Sequence, residues 1–320
     1  MSESIAATGP LPAWARELFS PYTLLFSDQF TREAVLSRMS PQVVGILARG
    51  PVVIDAGMMR AAPNLRVIGR AGVGYDTVDV AEASRRGVPV VYTPGAMARA
   101  VAEHTLSLML AAAKNLPHWR RVLLEGEWKD RYGRRNLDLQ GATVGIVGYG
   151  RIGRQVRRLL APFDCKVLVY SPNLAPDEMA DHGVEAVPLP ELLGRSDIVS
   201  LHPPLNRESR GLINSENIGS FKQGSILVNL GRGALVESHD LLFEALETGR
   251  LRAVALDVFL DEPPDRSHPL FRHPNAVLTP HVGSATLGAQ RGVLETVAGD
   301  MMAVLEGRRP TEANLVNPPA

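Results

Sequence analysis

The sequence predicts an α/β protein of two domains, each built on a parallel sheet, with a doubly wound domain inserted into a smaller one. Three observations carry this expectation. Short runs of branched and aliphatic residues alternate with helical patterns, and the alternation occurs twice along the 320 residues. A long helical stretch at 98–116 separates the two sets. A last helical pattern, 288–307, follows the end of the second set, so the chain is expected to return to the first domain. The boundaries read as 1–97 with 286–320 for the first domain and 98–285 for the second.

Taken in order, the first set holds strand-like runs at 43–50, 65–74 and 88–95, with helix-like pieces at 54–62 and 79–87 between them. The stretch 98–116, "ARAVAEHTLSLMLAAAKNL", keeps apolar residues at helical spacing for about five turns. A polar segment bearing Trp and Arg follows at 117–141. The second set is more regular, with strands expected at 142–150, 166–172, 197–204, 225–233, 252–259 and 276–283. No internal repeat or low-complexity segment interrupts it.

Composition narrows the function. An apolar fraction of 45% and a charged fraction of 21% are those of a soluble globular protein. Lys+Arg and Asp+Glu stand at 34 each, which leaves no excess charge for nucleic acid, an anionic membrane or an acidic partner. The expected partner is a small molecule or a second copy of the chain. The single cysteine, Cys165, excludes an internal disulfide framework, fits a reducing compartment and reads as a packing residue at the start of a strand. The opening "MSESIAATGPLPAWARELF" lacks a basic segment followed by an apolar one, and no apolar run approaches membrane-spanning length. The expected location is the cytoplasm.

The strongest motif lies in "GIVGYGRIGRQVRRLL", where Gly148, Gly150 and Gly153 have the spacing G-x-G-x-x-G between an apolar strand and an amphipathic helix. The first glycine allows the tight turn, the second lets backbone approach a pyrophosphate, and the third lets helix pack on strand. The strand that should then supply an acid for the adenosine ribose ends instead at Ser171. Three later strand ends, "NLGRG", "LDVFLDEPP" and "LTPHVGSA", bring Arg232, Glu262 and His281 to the ligand side of a doubly wound sheet. Each alone reads as structural. Together, beside a dinucleotide loop, they supply a planar cation that matches a carboxylate and a histidine whose pKa a neighbouring carboxylate raises. That is the equipment for moving a proton near neutral pH.

These residues also carry a resemblance. In order, "RAGVGYDTVDV", "AVAEHT", "GYGRIGR", "SLHPPLNRESRGLIN", "NLGRG", "ALDVFLDEPP" and "TPHVGSAT" make the chain similar, over nearly its full length, to the D-isomer-specific 2-hydroxyacid dehydrogenases. This family includes phosphoglycerate dehydrogenase and hydroxypyruvate/glyoxylate reductase. The resemblance implies a Rossmann-type doubly wound parallel sheet inserted into a smaller flavodoxin-like substrate domain. It also implies hydride transfer between NAD(P)H and a 2-keto acid or D-2-hydroxy acid, such as glyoxylate, hydroxypyruvate or 3-phosphoglycerate. By the same carry-over Arg232 grips the substrate carboxylate, His281 is the acid/base and Glu262 holds His281. The amides of Val73 and Gly74 and the side chain of Arg49 contact substrate, and Arg151 and Ile152 meet the pyrophosphate. Pro203, Pro204, Leu230, Gly231, Asp257, Gly283 and Ser284 line the nicotinamide side.

The chain departs from the family pattern twice. Met97 stands where related sequences often have asparagine, and it receives no role. Ser171 replaces the ribose acid, while the stretch 171–194 holds no Lys or Arg to take a 2′-phosphate and does hold Asp177, Glu178, Asp181 and Glu185. Arg151 and Arg154 are the nearby cations. The expectation is therefore that Ser171 and Asn173 bond the ribose and that NAD is preferred, with NADP open. An NAD(H)-sensing corepressor and a formate or phosphite dehydrogenase are the alternative readings. His268 and His273 flank prolines without a ligand-spaced partner, so no metal is expected. His104 reads as a buried, hydrogen-bonded residue between domains, with a place near the cleft as the alternative. The helix from Ala98 and the arm around Trp119 and Trp128 point to a homodimer, and the mixed charge of that arm points away from nucleic acid.

Overall fold

The computed structural model describes residues 2–26, 29–172, 174 and 183–317. It divides into two compact units, 1–97 with 285–320, and 98–284.

The first unit is a parallel sheet of β1 (Ser4–Ala7), β2 (Thr23–Phe26), β3 (Val43–Ala48), β4 (Val67–Arg70) and β5 (Val90–Val91), in the order β2-β1-β3-β4-β5. All six residues of β3 are buried, as a strand covered on both faces requires. Three short helices, α1 (Arg32–Leu36), α2 (Ala56–Arg60) and α3 (Val80–Arg85), start at Thr31, Asp55 and Asp79. Each of those side chains accepts from an amide in the first turn. These helices cover one face, with Val35, Met58, Met59 and Ala83 against Ile46 and Ile68. The other face receives Leu294, Val297 and Met301 from the helix Leu287–Leu305, packed on Ile5, Leu47 and Val67. Beyond that helix the chain covers the free edge of β5. Leu315 pairs antiparallel with Val91, and the buried Asn317 accepts from Val90 N at 2.6 Å and donates to Val88 O at 3.1 Å.

The second unit is a parallel sheet of β6 (Thr143–Val147), β7 (Lys166–Tyr170), β8 (Glu185–Ala186), β9 (Ile198–Leu201), β10 (Ser225–Asn229), β11 (Leu251–Leu256) and β12 (Ala276–Leu278). Its order, β12-β11-β10-β9-β6-β7-β8, reverses between β6 and β9. Such a reversal opens a crevice at the carboxyl ends of the strands. Helices α4 (Ala98–Ala113), α5 (Leu116–Leu124), α6 (Arg151–Leu160), α7 (Leu189–Arg195) and α8 (His239–Glu247) complete it. Residues of α4 and α6 pack on one face of the sheet and residues of α7 and α8 on the other.

Two sequence expectations change. The stretch 98–116 is not one helix, because Asn115 adopts φ 51° and its amide group bonds Asn136 Oδ1 at 3.0 Å, which turns the chain into α5. The apolar face of α4 is also used inside the second unit, where Ala102, Leu108 and Met109 are buried in its core. Exposed apolar area lies instead on and after α5. Leu116, Leu123, Leu124, Trp128 and Tyr132 are each more than half exposed. Cys165 is half-buried just before β7, where burial pushes its thiol pKa up. Among the described residues, no helix is long and apolar enough to cross a membrane.

Candidate active site

The carboxyl ends of β6, β9, β10, β11 and β12 lie side by side in the second unit, and Gly148, Pro203, Arg232, Glu262 and His281 sit on the loops that leave them. Gly148 follows β6 at φ 88°. A Cβ there would come within 2.6 Å of Pro203 N, so the loops after β6 and β9 touch through backbone. A Cβ on Gly153 would fall 2.4 Å from Gly148 O, which seats α6 on the end of its own strand. Gly150, by contrast, faces open space and caps α6 without a side-chain bond. The amides of the first turn of α6, with Arg151 and Ile152 next in line, thus form an uncapped positive helix end. This arrangement fits a dinucleotide pyrophosphate. Ser209 Oγ donates to Pro204 O at 2.6 Å and fixes the turn after Pro203 and Pro204.

Ser171 is half-buried directly after β7, and its carbonyl accepts from Leu174 N at 3.1 Å. Asn173, Asp177, Glu178 and Asp181 lie outside the described residues. Glu185 opens β8, where Arg195 and then Lys166 hold its pKa down to about 2. That carboxylate is committed to the sheet edge and not to a ribose. The Arg154 guanidinium lies over the Tyr149 ring, 5.1 Å from its centroid.

The loop after β10 carries Leu230, Gly231 and Arg232. Buried Asn229 clamps it, accepting from Gly231 N at 3.0 Å and donating to Arg232 O at 2.9 Å. Nothing in the sequence marks Asn229 beyond its place in "NLGRG". The next residue, Gly233, lies against the backbone of Phe259, and a Cβ there would be 2.0 Å from Phe259 C and O. Only glycine permits that approach, which sets the arginine turn on the loop after β11. That second loop presents Glu262, whose Oε1 accepts from Phe259 N at 3.1 Å. Its other oxygen, Oε2, takes His281 Nδ1 at 2.6 Å.

Because a carboxylate only accepts, Nδ1 carries the proton of that bond and Nε2 is left for chemistry. His281 has its pKa raised, first by the hydrogen bond to Glu262 and, against the effect of burial, by the charges of Glu262 and Asp257. Burial pushes the Glu262 carboxyl up, yet the bond to His281, the charge of that ring, the Phe259 amide and Arg232 together hold it below the usual range. His281 itself sits at φ 53°, and its amide donates to Asp257 O at 2.8 Å. The Asp257 carboxylate is 2% exposed. It accepts from Val282 N, Gly283 N and the Thr279 hydroxyl, just before Ser284.

In the first unit, Arg49 follows β3. Its amide and carbonyl both bond Thr8 Oγ1, at 2.7 and 2.6 Å, and its Nη1 is buried without a hydrogen-bond partner. Burial lowers its pKa. Val73 and Gly74 follow β4. Arg70, to which the sequence assigns no role, donates from Nε to Gly74 O at 2.7 Å and from Nη1 to Gly50 O at 3.2 Å. The loops after β3 and β4 are thereby tied together. Met97 is half-buried ahead of α4.

His268 and His273 have structural roles. Their Nε2 atoms meet Asp240 and Glu247 at 3.0 and 3.2 Å, and their Nδ1 atoms accept from Leu270 N and Asn275 N. His104 is hydrogen-bonded as expected, its Nε2 lying 3.0 Å from Thr279 Oγ1 of the same unit.

Residues 106–283 match the family model described as D-isomer specific 2-hydroxyacid dehydrogenase, NAD binding domain. The chain is 38% identical over 272 residues to D-3-phosphoglycerate dehydrogenase of Archaeoglobus fulgidus, covering 85% of this chain and 51% of that protein. It thus spans about half the length of that relative. It is 40% identical over 261 residues to glyoxylate reductase of Thermofilum pendens, covering 80% of this chain and 77% of that protein. Among solved structures, a protein of Thermus thermophilus superposes with a TM-score of 0.88 at 36% identity, covering 98% of this chain and 100% of that one.

Proposed function

Because the chain belongs to the D-isomer specific 2-hydroxyacid dehydrogenases, we propose that it interconverts a 2-keto acid and the matching D-2-hydroxy acid with NAD as hydride carrier. The observation that carries this reading is the 2.6 Å pairing of His281 with Glu262 on a loop that Gly233 registers against the turn of Arg232. When bound, NAD supplies or removes the hydride. Gly148, Gly150, Arg151, Ile152 and Gly153 hold its pyrophosphate, and Ser171 bonds its ribose. Pro203, Pro204, Leu230, Gly231, Asp257, Gly283 and Ser284 line its nicotinamide side. The residues 98–285 are the dinucleotide-binding domain, and 1–97 with 286–320 the substrate-binding domain.

In reduction, Arg232 grips the substrate carboxylate through its planar fork and draws electron density from the adjacent carbonyl. The amides of Val73 and Gly74 are the proposed further donors to that carboxylate. His281 delivers a proton from Nε2 to the carbonyl oxygen, and in oxidation it takes that proton back. Glu262 keeps the ring charged for the first task and oriented for both. Arg49, half-buried with a buried Nη1 that has no hydrogen-bond partner among the described residues, is the proposed contact for a second polar or anionic group on the substrate. NAD is preferred over NADP because residues 171–194 hold no Lys or Arg for a 2′-phosphate. The working form is a homodimer in the cytoplasm, joined through the exposed apolar residues of α5 and the turn after it. The balanced charge supports small-molecule partners over nucleic acid or membrane.

A panel of 2-keto acids assayed with NADH and NADPH, led by glyoxylate, hydroxypyruvate and 3-phosphohydroxypyruvate, tests the reading. Formate and phosphite belong in the same panel as oxidation substrates. Turnover of at least one 2-keto acid is expected. Dinucleotide binding that alters assembly without turnover of any of them would favour a sensor instead.

A further inference from the structure

His104 lies in the middle of α4, far along the chain from the strand ends that carry the chemistry. Its ring Nε2 is nevertheless 3.0 Å from Thr279 Oγ1, and that hydroxyl is 2.6 Å from Asp257 Oδ1. A hydroxyl has one proton and a carboxylate only accepts, so the Thr279 proton goes to Asp257 and the Thr279 oxygen accepts from His104. The ring therefore carries its N–H at Nε2. Asp257, at the far end of this relay, holds the backbone at His281 and at the two residues after it. Its main-chain oxygen takes His281 N at 2.8 Å, Oδ1 takes Val282 N at 2.9 Å and Oδ2 takes Gly283 N at 2.7 Å. The His104 ring also backs this turn, since a Cβ on Gly283 would lie 3.7 Å from His104 Cδ2. A histidine at φ 53° is in the left-handed region that non-glycine residues avoid, and it stays there only where its surroundings hold it.

We infer that His104 is a positioning residue for the proton-carrying His281. By donating to Thr279 it fixes the hydroxyl that secures Asp257, and Asp257 in turn holds the left-handed turn that presents His281. The role rests on the dehydrogenase reading for its consequence in turnover, while the relay itself does not depend on that reading. His104 neither moves the proton nor grips the substrate.

Three variants test it. His104→Phe keeps a ring and removes the donor, Thr279→Val keeps the shape and removes the hydroxyl, and His104→Gln keeps an N–H at similar reach. The Phe and Val variants should each lose about five- to thirtyfold in kcat for keto-acid reduction, the scale of one or two hydrogen bonds at a constrained site, with KM changed by less than about twofold. The double variant should be no worse than the poorer single, because both break one relay. The Gln variant should recover most of kcat. Without substrate, hydrogen exchange of a peptide spanning 279–284 should quicken in the Phe and Val variants, while peptides of β6 and α6 keep their rates. Unchanged exchange at 279–284 in the Phe variant, or an equal rise across the second unit, overturns the inference. A wild type that turns over no 2-keto acid overturns the functional reading alone, and the exchange measurement still decides the role of His104.

Discussion

Glu262 Oε2 and His281 Nδ1 stand 2.6 Å apart, although they leave two different strands and are both partly open to solvent. The bond favours the charged ring, so Glu262→Gln should lower the His281 pKa. Reduction needs the protonated ring, and its high-pH limb should move to lower pH in the variant. Oxidation needs the neutral ring, and its low-pH limb should extend to lower pH. Opposite consequences in the two directions, read from kcat/KM profiles, are the signature of this pair; unmoved limbs in both would assign the proton elsewhere.

Removal of the proton carrier should separate chemistry from binding. His281→Ala should lower kcat by about 10²–10⁴-fold and leave NADH affinity, measured by fluorescence titration, within a few-fold of wild type. Arg232→Ala should raise KM for the keto acid and lower kcat together, because it loses both the grip on the carboxylate and the polarisation of the carbonyl. A His281→Ala enzyme with near-normal turnover would rule out the assignment.

The contact of Gly233 with Phe259 couples two loops that each carry a catalytic side chain. Gly233→Ala places a Cβ 2.0 Å from backbone atoms that cannot swing aside, so the loops must separate. The variant should lose about 1–3 kcal/mol in urea unfolding and a larger share of kcat than of substrate affinity. Wild-type stability and turnover in this variant would show that the loops are registered by something else.

Ser171→Asp should sharpen the preference for NADH over NADPH by about tenfold or more, about 1.4 kcal/mol, by adding a ribose acceptor and repelling a 2′-phosphate. Comparison of kcat/KM for the two cofactors in both proteins checks it. A wild type that already favours NADPH tenfold would reverse the proposed preference.

Leu123 and Leu124 are 62% and 66% exposed on α5, which suits burial against a second copy. Light scattering at micromolar concentration should give a dimer for wild type and a lower mass for the Leu123→Glu, Leu124→Glu double variant. A fully active wild-type monomer would remove the homodimer from the proposal.

Much of this site was legible because its chemistry is written locally. The three glycines around Tyr149, the arginine between Gly231 and Gly233 and the histidine after Pro280 each sit on short strand-to-loop transitions that pattern alone exposes. What the pattern could not reveal depends on contacts across the sheet. Thr279 and His104 act through partners that no spacing announces. β1 and β2 have no sequence signature because four-residue strands such as "SIAA" carry too few apolar positions for a period to show. The helix read through Asn115 because apolar spacing continues past it, although Pro117 marks the break. Glu185 stands in the sequence only as one acid of a stretch without Lys or Arg, and its partners Lys166 and Arg195 lie too far along the chain for spacing to announce them.

The covering of the first unit's sheet by the helix Leu287–Leu305 has a consequence for synthesis. All five strands of that sheet emerge before residue 98, yet Met301 and Val297, which pack beside Gly69 in β4, are made only after the whole second unit. A nascent chain therefore carries an apolar sheet face, including Ile5, Leu47 and Val67, that only Leu11, Ala15, Phe19 and their neighbours can cover until the helix is made. The ribosome-bound intermediate thus lacks Leu294, Val297 and Met301 from that cluster, and a pause in translation before residue 287 would prolong this state.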